Sequence, residues 1–305
     1  MKVFITGATG FVGRHVMTAV HALGHDVVAS AFNKKHKDED NDSNIHWLYG
    51  DLKNIDFLKT GLKSFNPDVV IHLAWQGIPD YSETISRINL NNSIDLIDFI
   101  LSNTNCRKIL VSGSCWEYGK KQGACKESDP VNIDSYFSWA KYSLNQYLYV
   151  KCAKKNVTVN WFRIFYLYGP GQREGALIPM LNNSIRQKEI PQINAPMNKN
   201  DFVFVGDVAR AFAKAVDLDI PSGVYNLGSG TTTSVYDICR IVEKQLLSST
   251  SISNRVLNNE NQIESEKFWA DMEKTNENLD LMLDTSIEKV ITEMLYQNNI
   301  QCLNT

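Results

Sequence analysis

The stretch KVFITGATGFVG (2–13) restricts the fold more than any other part of the chain. Residues 2–6 read as a short apolar strand. FVGRHVMTAVHAL (11–23) reads as a helix, with Val12, Val16, Ala19, Val20 and Leu23 at helical spacing, and Gly24 stops it. From the end of the strand to the start of the helix, Gly7, Gly10 and Gly13 stand three apart. Glycines let the backbone turn tightly there. They also let a pyrophosphate approach the helix N-terminus, where free N–H groups and the dipole favour an anion. A glycine pattern alone is weak evidence, but this one follows a strand, opens a helix and lies inside a βαβ unit.

The alternation continues. Strands are expected at 25–32, 45–52, 68–75, 108–112 and 157–164, and helices near 54–64, 83–102 and 136–155. NKKHKDEDNDSN (33–44) is a charged surface loop. Strands alternating with helices predict a parallel sheet covered on both faces. Beyond Gly169 the order loosens. A strand at 201–205, a helix at 207–216, a strand and turn at 223–230 and a helix near 234–247 are expected. SSTSISN (248–254) reads as a polar connector, and one more amphipathic helix is expected around 286–298.

The 305 residues suffice for one large α/β domain or two modest ones. A formal net charge of −3 gives no electrostatic case for nucleic acid. The apolar runs are strand-sized, too short to span a bilayer. The N-terminus lacks the apolar core and cleavage site of a secretory signal, and six cysteines occur without a C-x-x-C pair. A cytoplasmic protein with free thiols and no metal or membrane partner is expected.

The spacing G-x-x-G-x-x-G resembles that of the extended short-chain dehydrogenase/reductases, the NAD-dependent epimerase/dehydratase group that acts on nucleotide sugars. The resemblance continues in the family's order through GDL (50–52), HLAW (72–75), INL (88–90), VSGSCWEYG (111–119), WFRIFYLYGPG (161–171), NDFVFVGDVARAF (200–212) and GVYNLGSG (223–230). It covers roughly the first 230 residues; the tail is only compatible with it. It implies a Rossmann-like sheet with helices on both faces and a smaller mixed substrate-binding domain. The division would fall at 1–165 and 166–305, with segments near 201–230 returning to the first domain.

The resemblance also implies roles. Gly7, Thr9, Gly10, Phe11, Val12 and Gly13 would cradle the cofactor, and Asp51 and Leu52 would hold its adenine. Leu73, Ala74, Trp75, Asn89, Lys141 and Phe165 would line the rest of its path. Ser114, Tyr166, Arg173 and Leu177 would meet the substrate. Ser112 and Ser114 share one face of their strand, so choosing Ser114 as the catalytic hydroxyl rests on the resemblance. At the end of the second strand, where an acidic residue reads the ribose of NAD, stand Ser30 and Ala31, followed by Asn33, Lys34 and Lys35. Lys34 is the candidate for a 2′-phosphate, so NADP(H) is favoured, with NAD(H) the other possibility.

Cys115 and Trp116 occupy the two places where the family's 4,6-dehydratases carry Asp and Glu. Trp116 and Ala176 occupy the places of the Cys–His pair of epimerase-reductases. Both elimination and epimerisation beside the keto group therefore lack their acids and bases. Lys141 falls in the family's lysine slot, but the tyrosine slot four residues earlier holds Phe137. Tyr136 is five residues away and swung by roughly 140° from Lys141 around a helix. Three readings are open: an inactive Tyr-to-Phe variant, recruitment of Tyr136, or a cofactor-binding protein without turnover.

Subtraction leaves an NADP(H)-dependent reductase of a 4-keto-6-deoxy nucleotide sugar, in a pathway to surface polysaccharides. A C4 epimerase retaining NAD is the alternative, and a non-catalytic dinucleotide sensor the third reading. Tyr166 and Asn200, where the family often has Asn and Arg, leave the sugar and base unnamed. A homodimer through helices 83–102 and 136–155 is implied.

Overall fold

The computed structural model describes residues 1–33, 45–257, 267–283 and 285–303. The first half runs β1 (Lys2–Thr6), α1 (Phe11–Ala22), β2 (Asp26–Ala31), β3 (Ile45–Tyr49), α2 (Asp56–Phe65), β4 (Val69–His72), α3 (Glu83–Asn103) and β5 (Lys108–Ser114). A single 3-10 turn (Cys115–Tyr118) leads to β6 (Gly123–Cys125), α4 (Tyr136–Ala153), β7 (Thr158–Ile164), β8 (Tyr166–Tyr168) and α5 (Leu177–Arg186). Then come β9 (Lys199–Asn200), β10 (Phe202–Phe204), α6 (Val205–Asp217), β11 (Gly223–Leu227), β12 (Thr233–Ser234) and α7 (Val235–Leu247). The chain continues through α8 (Ser251–Leu257), β13 (Lys267–Ala270), α9 (Glu273–Leu279) and α10 (Ile287–Leu303).

Seven parallel strands form the main sheet in the order β11-β7-β5-β4-β1-β2-β3. The order reverses between β1 and β4, and a cleft opens at their carboxyl ends, where open α/β sheets bind ligands. Strand alternation sends successive side chains to opposite faces. Val3 and Ile5 pack with Val16 and Val20 of α1 and Phe212 of α6. Phe4 faces the other way, into a core with Leu58 of α2, Leu96 of α3 and Leu144 of α4. Helices thus cover both faces, the Rossmann-like arrangement that the alternating pattern predicts. A third core joins α5, α7, α8 and α10, beside a small mixed sheet ordered β12-β9-β13-β6 and the parallel pair β8–β10. Residues 205–227 join the main sheet: β11 extends it beyond β7, and α6 packs on α1.

Several elements depart from the periodicity reading. The second half of the stretch read as a connector (248–254) opens helix α8, which runs over Ser251–Leu257. Both carboxylate oxygens of Glu243, on α7, accept backbone N–H groups there, from Ile252 (2.9 Å) and Ser253 (2.7 Å). A cap supplied by a neighbouring helix leaves no local signature. Short strands β6, β8, β9, β12 and β13 and helices α5 and α9 were likewise outside that reading. The loop at 34–44, including Lys34 and Lys35, lies outside the described residues.

Lys108 shows what locks α6 to the sheet. It is buried at the start of β5, and its Nζ donates to the carbonyls of Ala215 (3.0 Å), Val216 (3.0 Å) and Leu218 (2.7 Å) as α6 ends. Burial pulls its pKa down, opposed by Asp219 and Asp217. Lys108→Met removes a charged donor from three carbonyls, so we expect a loss of about 2 kcal/mol, read as a lower urea midpoint. An unchanged midpoint would mean that water satisfies those carbonyls equally well.

Candidate active site

The turn after β1 is built from contacts that tolerate only hydrogen. Gly7 adopts φ +68°, and a Cβ there would lie 2.8 Å from the Cα and N of Ala74. A Cβ on Gly13 would lie 1.9 Å from the carbonyl oxygen of Gly7, so α1 packs directly on the turn. Gly10 is the N-cap of α1 and offers no capping side chain. The start of this helix thus keeps N–H groups for an outside acceptor, as anion sites do.

A cleft of about 230 Å³ borders this turn. It brings together Gly7, Thr9, Gly10, Asp51, Leu52, Ala74, Trp75 and Asn89 from the sequence-derived set. Phe11, Val12, Gly13 and Leu73 stand beside these residues in the chain without lining the cleft. Phe165 is buried among Tyr118 and Phe268, with ring centroids at 6.3 and 5.1 Å. The cleft is also lined by Ser30, Ala31 and Phe32 at the end of β2, by Gln76, and by Asn92 and Ser93. Asn92 and Ser93 lie three and four residues after Asn89, on one face of α3, a spacing that could have revealed them. The glycine turn, the bare helix start and the polar rim fit a dinucleotide.

A buried polar chain holds the wall of this cleft. Thr6 Oγ1 lies 2.8 Å from His72 Nδ1, and His72 Nε2 lies 2.9 Å from Ser93 Oγ. Ser93 Oγ donates to the Asn89 carbonyl (2.7 Å), so it must accept from His72 Nε2–H. Thr6 therefore donates to Nδ1, while its oxygen accepts the N–H groups of Leu73 and Ala74 (both 3.2 Å). Burial, with the Lys141 charge adding, pushes His72 down to about 3 and keeps it neutral. The Asn89 side chain clamps Gln76, accepting its N–H (2.8 Å) and donating to its carbonyl (2.9 Å).

The candidate catalytic groups meet at the other end. Ser135 caps α4, accepting the Ser138 N–H. Phe137 and Lys141 both face inward from this helix and are buried. Lys141 Nζ donates to the Ser112 carbonyl (2.7 Å) and lies 4.1 Å from the Trp75 ring centroid and 6.0 Å from that of Phe137. Burial pushes Lys141 down to about 7, with Glu117 opposing. The Phe137 ring is boxed by Trp75, Tyr81 and Trp116, at centroid distances of 5.5, 5.2 and 5.6 Å. Tyr136 is 52% exposed and lines a separate crevice with Glu83, Arg87 and Trp139. Ser114 ends β5, half-buried, its Oγ accepting the Trp116 N–H (3.2 Å).

Glu117, in the same 3-10 turn, is turned away from the cleft. It accepts from Ser114 N–H, Trp161 Nε1 and Arg163 Nε, each at 2.9 Å. Trp116 also borders a second crevice of about 340 Å³, lined by Lys120, Lys121, Ser135, Tyr166, Asn200 and Phe268 among others. Tyr166 is therefore brought to it. Arg173 is exposed elsewhere, and Leu177 packs against the helical cluster of α5 and α7.

A family model described as "NAD dependent epimerase/dehydratase family" matches residues 3–228. The dTDP-6-deoxy-L-talose 4-dehydrogenase (NAD(+)) of Aggregatibacter actinomycetemcomitans is 24% identical over 248 residues, covering 77% of this chain and 87% of that protein. The dTDP-4-dehydro-6-deoxyglucose reductase of Escherichia coli is 24% identical over 259 residues, covering 80% and 81%. Among solved structures, UDP-N-acetylglucosamine 4-epimerase from Methanobrevibacter ruminantium M1, in complex with UDP-N-acetylmuramic acid, matches with a TM-score of 0.83 at 23% identity, covering 98% of each chain.

Proposed function

Because the chain belongs to the NAD-dependent epimerase/dehydratase family, and so is an enzyme of the short-chain dehydrogenase/reductase type, we propose that it reduces the ketone of a 4-keto-6-deoxy nucleotide sugar. The observation that carries this is a site with hydride-transfer furniture and no eliminating acid. Lys141 and Ser114 flank the aromatic box. At the two dehydratase positions, Cys115 is buried, while Trp116 packs on Phe137. The one carboxylate of this turn, Glu117, is held by Arg163 and Trp161. When bound, a nicotinamide dinucleotide supplies the hydride. Gly7, Gly10 and the start of α1 would hold its pyrophosphate, Asn89 would keep the wall at Gln76 in place, and Lys141 would supply positive charge. The second crevice would take the nucleotide diphosphate of the sugar.

The names of both curated relatives describe redox chemistry on dTDP-linked 6-deoxy sugars, which supports the substrate class. The test is oxidation of NADPH by dTDP-4-dehydro-6-deoxyglucose, with dTDP-glucose as the control that should yield no 4-keto product. Net NADPH oxidation supports the reductase. Interconversion of two sugars by a chain carrying NAD, without net oxidation, would favour the C4 epimerase that the solved neighbour suggests.

Within this reading NADP(H) is the preferred cofactor. The end of β2 presents Ser30, Ala31 and Phe32 to the cleft, and among the described residues of this strand end none is a carboxylate that would bind a ribose 2′-hydroxyl or repel a 2′-phosphate. The talose dehydrogenase is named for NAD(+), so the comparison is a direct one. Titration by tryptophan fluorescence should give tighter binding of NADPH than of NADH, and Ser30→Asp should reverse the order. Tighter NADH binding by the unaltered chain would end the argument. The same reading includes a homodimer through α3 and α4, the latter exposing Tyr149 and Val150.

A further inference from the structure

A reductase with Phe137 beside Lys141 needs its proton from another group. We propose that Tyr81 is the proton donor to the sugar ketone, a role that rests on the reductase reading above. Four rings meet at this place, those of Trp75, Tyr81, Trp116 and Phe137, and only Tyr81 carries a hydroxyl. Its ring centroid lies 5.2 Å from Phe137 and 4.9 Å from Trp116. It therefore borders the tyrosine slot on one side and, on the other, the residue shared with the second crevice. No hydrogen bond within the described residues engages its hydroxyl, which is free for a ligand.

The backbone fixes this residue in place. The Asp80 N–H donates to the Gly77 carbonyl (2.7 Å), with Gly77 at φ +90°. The Ser82 N–H donates to Asp80 Oδ1 (2.8 Å), and Ser82 caps α3. Tyr81 is thus held between a closed turn and a helix cap, which limits the freedom it must lose to act. The other phenols nearby are engaged or misplaced. Tyr136 lies in the crevice of Glu83 and Arg87, and Tyr118 is buried and donates to Asn226 (2.7 Å). Tyr166 borders the second crevice, with its ring tilted at 43° against that of Phe202 at a centroid distance of 5.8 Å.

In the step, Tyr81 gives its phenolic proton to the ketone oxygen while the ketone carbon accepts hydride from the reduced dinucleotide. The C=O π bond breaks, one C–H and one O–H bond form, and the phenolate recovers a proton from water. Lys141 supplies positive charge across the Phe137 ring, and the Ser114 hydroxyl shares the ketone oxygen.

The test is Tyr81→Phe in the full chain, assayed with dTDP-4-dehydro-6-deoxyglucose and NADPH, with Tyr136→Phe as control. Turnover should fall by about 10²-fold or more, the usual cost of losing a general acid, while dinucleotide affinity stays unchanged. Adding Phe137→Tyr to Tyr81→Phe should restore turnover, because it places a phenol one helical turn before Lys141; a residue that only packs would not be rescued this way. Binding of dTDP-glucose should also perturb a phenol band in the ultraviolet difference spectrum, and Tyr81→Phe should abolish that signal. Wild-type turnover in Tyr81→Phe overturns the proposal. So does an inert wild type that Phe137→Tyr alone activates, a result that leaves the reductase reading standing. If neither wild type nor Phe137→Tyr reduces the ketone, the reductase reading fails and the role of Tyr81 falls with it.

Discussion

Gly13→Ala should abolish dinucleotide binding, with titrations flat where the unaltered chain saturates. The added methyl carbon would stand 1.9 Å from the Gly7 carbonyl oxygen, 2.7 Å from the Gly7 carbonyl carbon and 2.9 Å from the Ala8 Cα. These are backbone atoms, so no side chain can swing away. Relief requires α1 to move off the turn, and α1 is held by the buried Val16 and Val20 beneath it. The turn must move instead, which carries Gly7 away from Ala74 and opens the cleft. In an ordinary helix the same change is favourable by roughly 1 kcal/mol, so the sign of the effect separates tertiary contact from helix propensity. Fluorescence titration and a urea melt on the same variant give both quantities. Normal cofactor affinity in Gly13→Ala would show that the turn is not what holds the dinucleotide.

The second large effect belongs to Glu117→Leu. This carboxylate is fully buried and accepts three hydrogen bonds, and its partner Arg163 is 3% exposed. Removing it leaves a buried guanidinium without a counter-charge and an indole N–H without an acceptor. Breaking one side of a buried pair costs about 3–5 kcal/mol. It also frees the N–H of Ser114, so the end of β5 should loosen and turnover fall. Replacing both partners, Glu117→Leu with Arg163→Met, removes the orphaned charge and should recover much of the loss in the urea midpoint. Losses that simply add in the double variant would mean that the pair does not couple.

Much of the first half was legible because its signals are local. Strand-to-helix alternation and the three glycines follow from spacing within single elements, while Asn89 was reached only through the resemblance of INL (88–90) to the family. That Phe137 shares a helix face with Lys141 while Tyr136 is swung away also follows from helical geometry, though the rings that box Phe137 do not. The second half was less legible for the opposite reason. Helix α8 is capped by Glu243 from a neighbouring helix, and β9, β12 and β13 are two to four residues long and exist only through their pairing. The strand pairings join residues far apart in the chain, and the Glu243 cap, nine and ten residues before Ile252 and Ser253, fits no helix-start motif.

The sequence by itself determined the parallel α/β fold, the glycine turn at its first helix and the absence of a phenol four residues before Lys141. These depend on what a residue's own backbone and nearest helical neighbours permit. Only the tertiary structure decided that Trp75 lies over the Lys141 ammonium and that Glu117 faces Arg163. It likewise decided that Tyr81 joins Trp116 beside Phe137. Each of those contacts joins segments set side by side by the packing of strands and helices, and direction across such a gap is fixed by that packing, not by the order of residues along the chain.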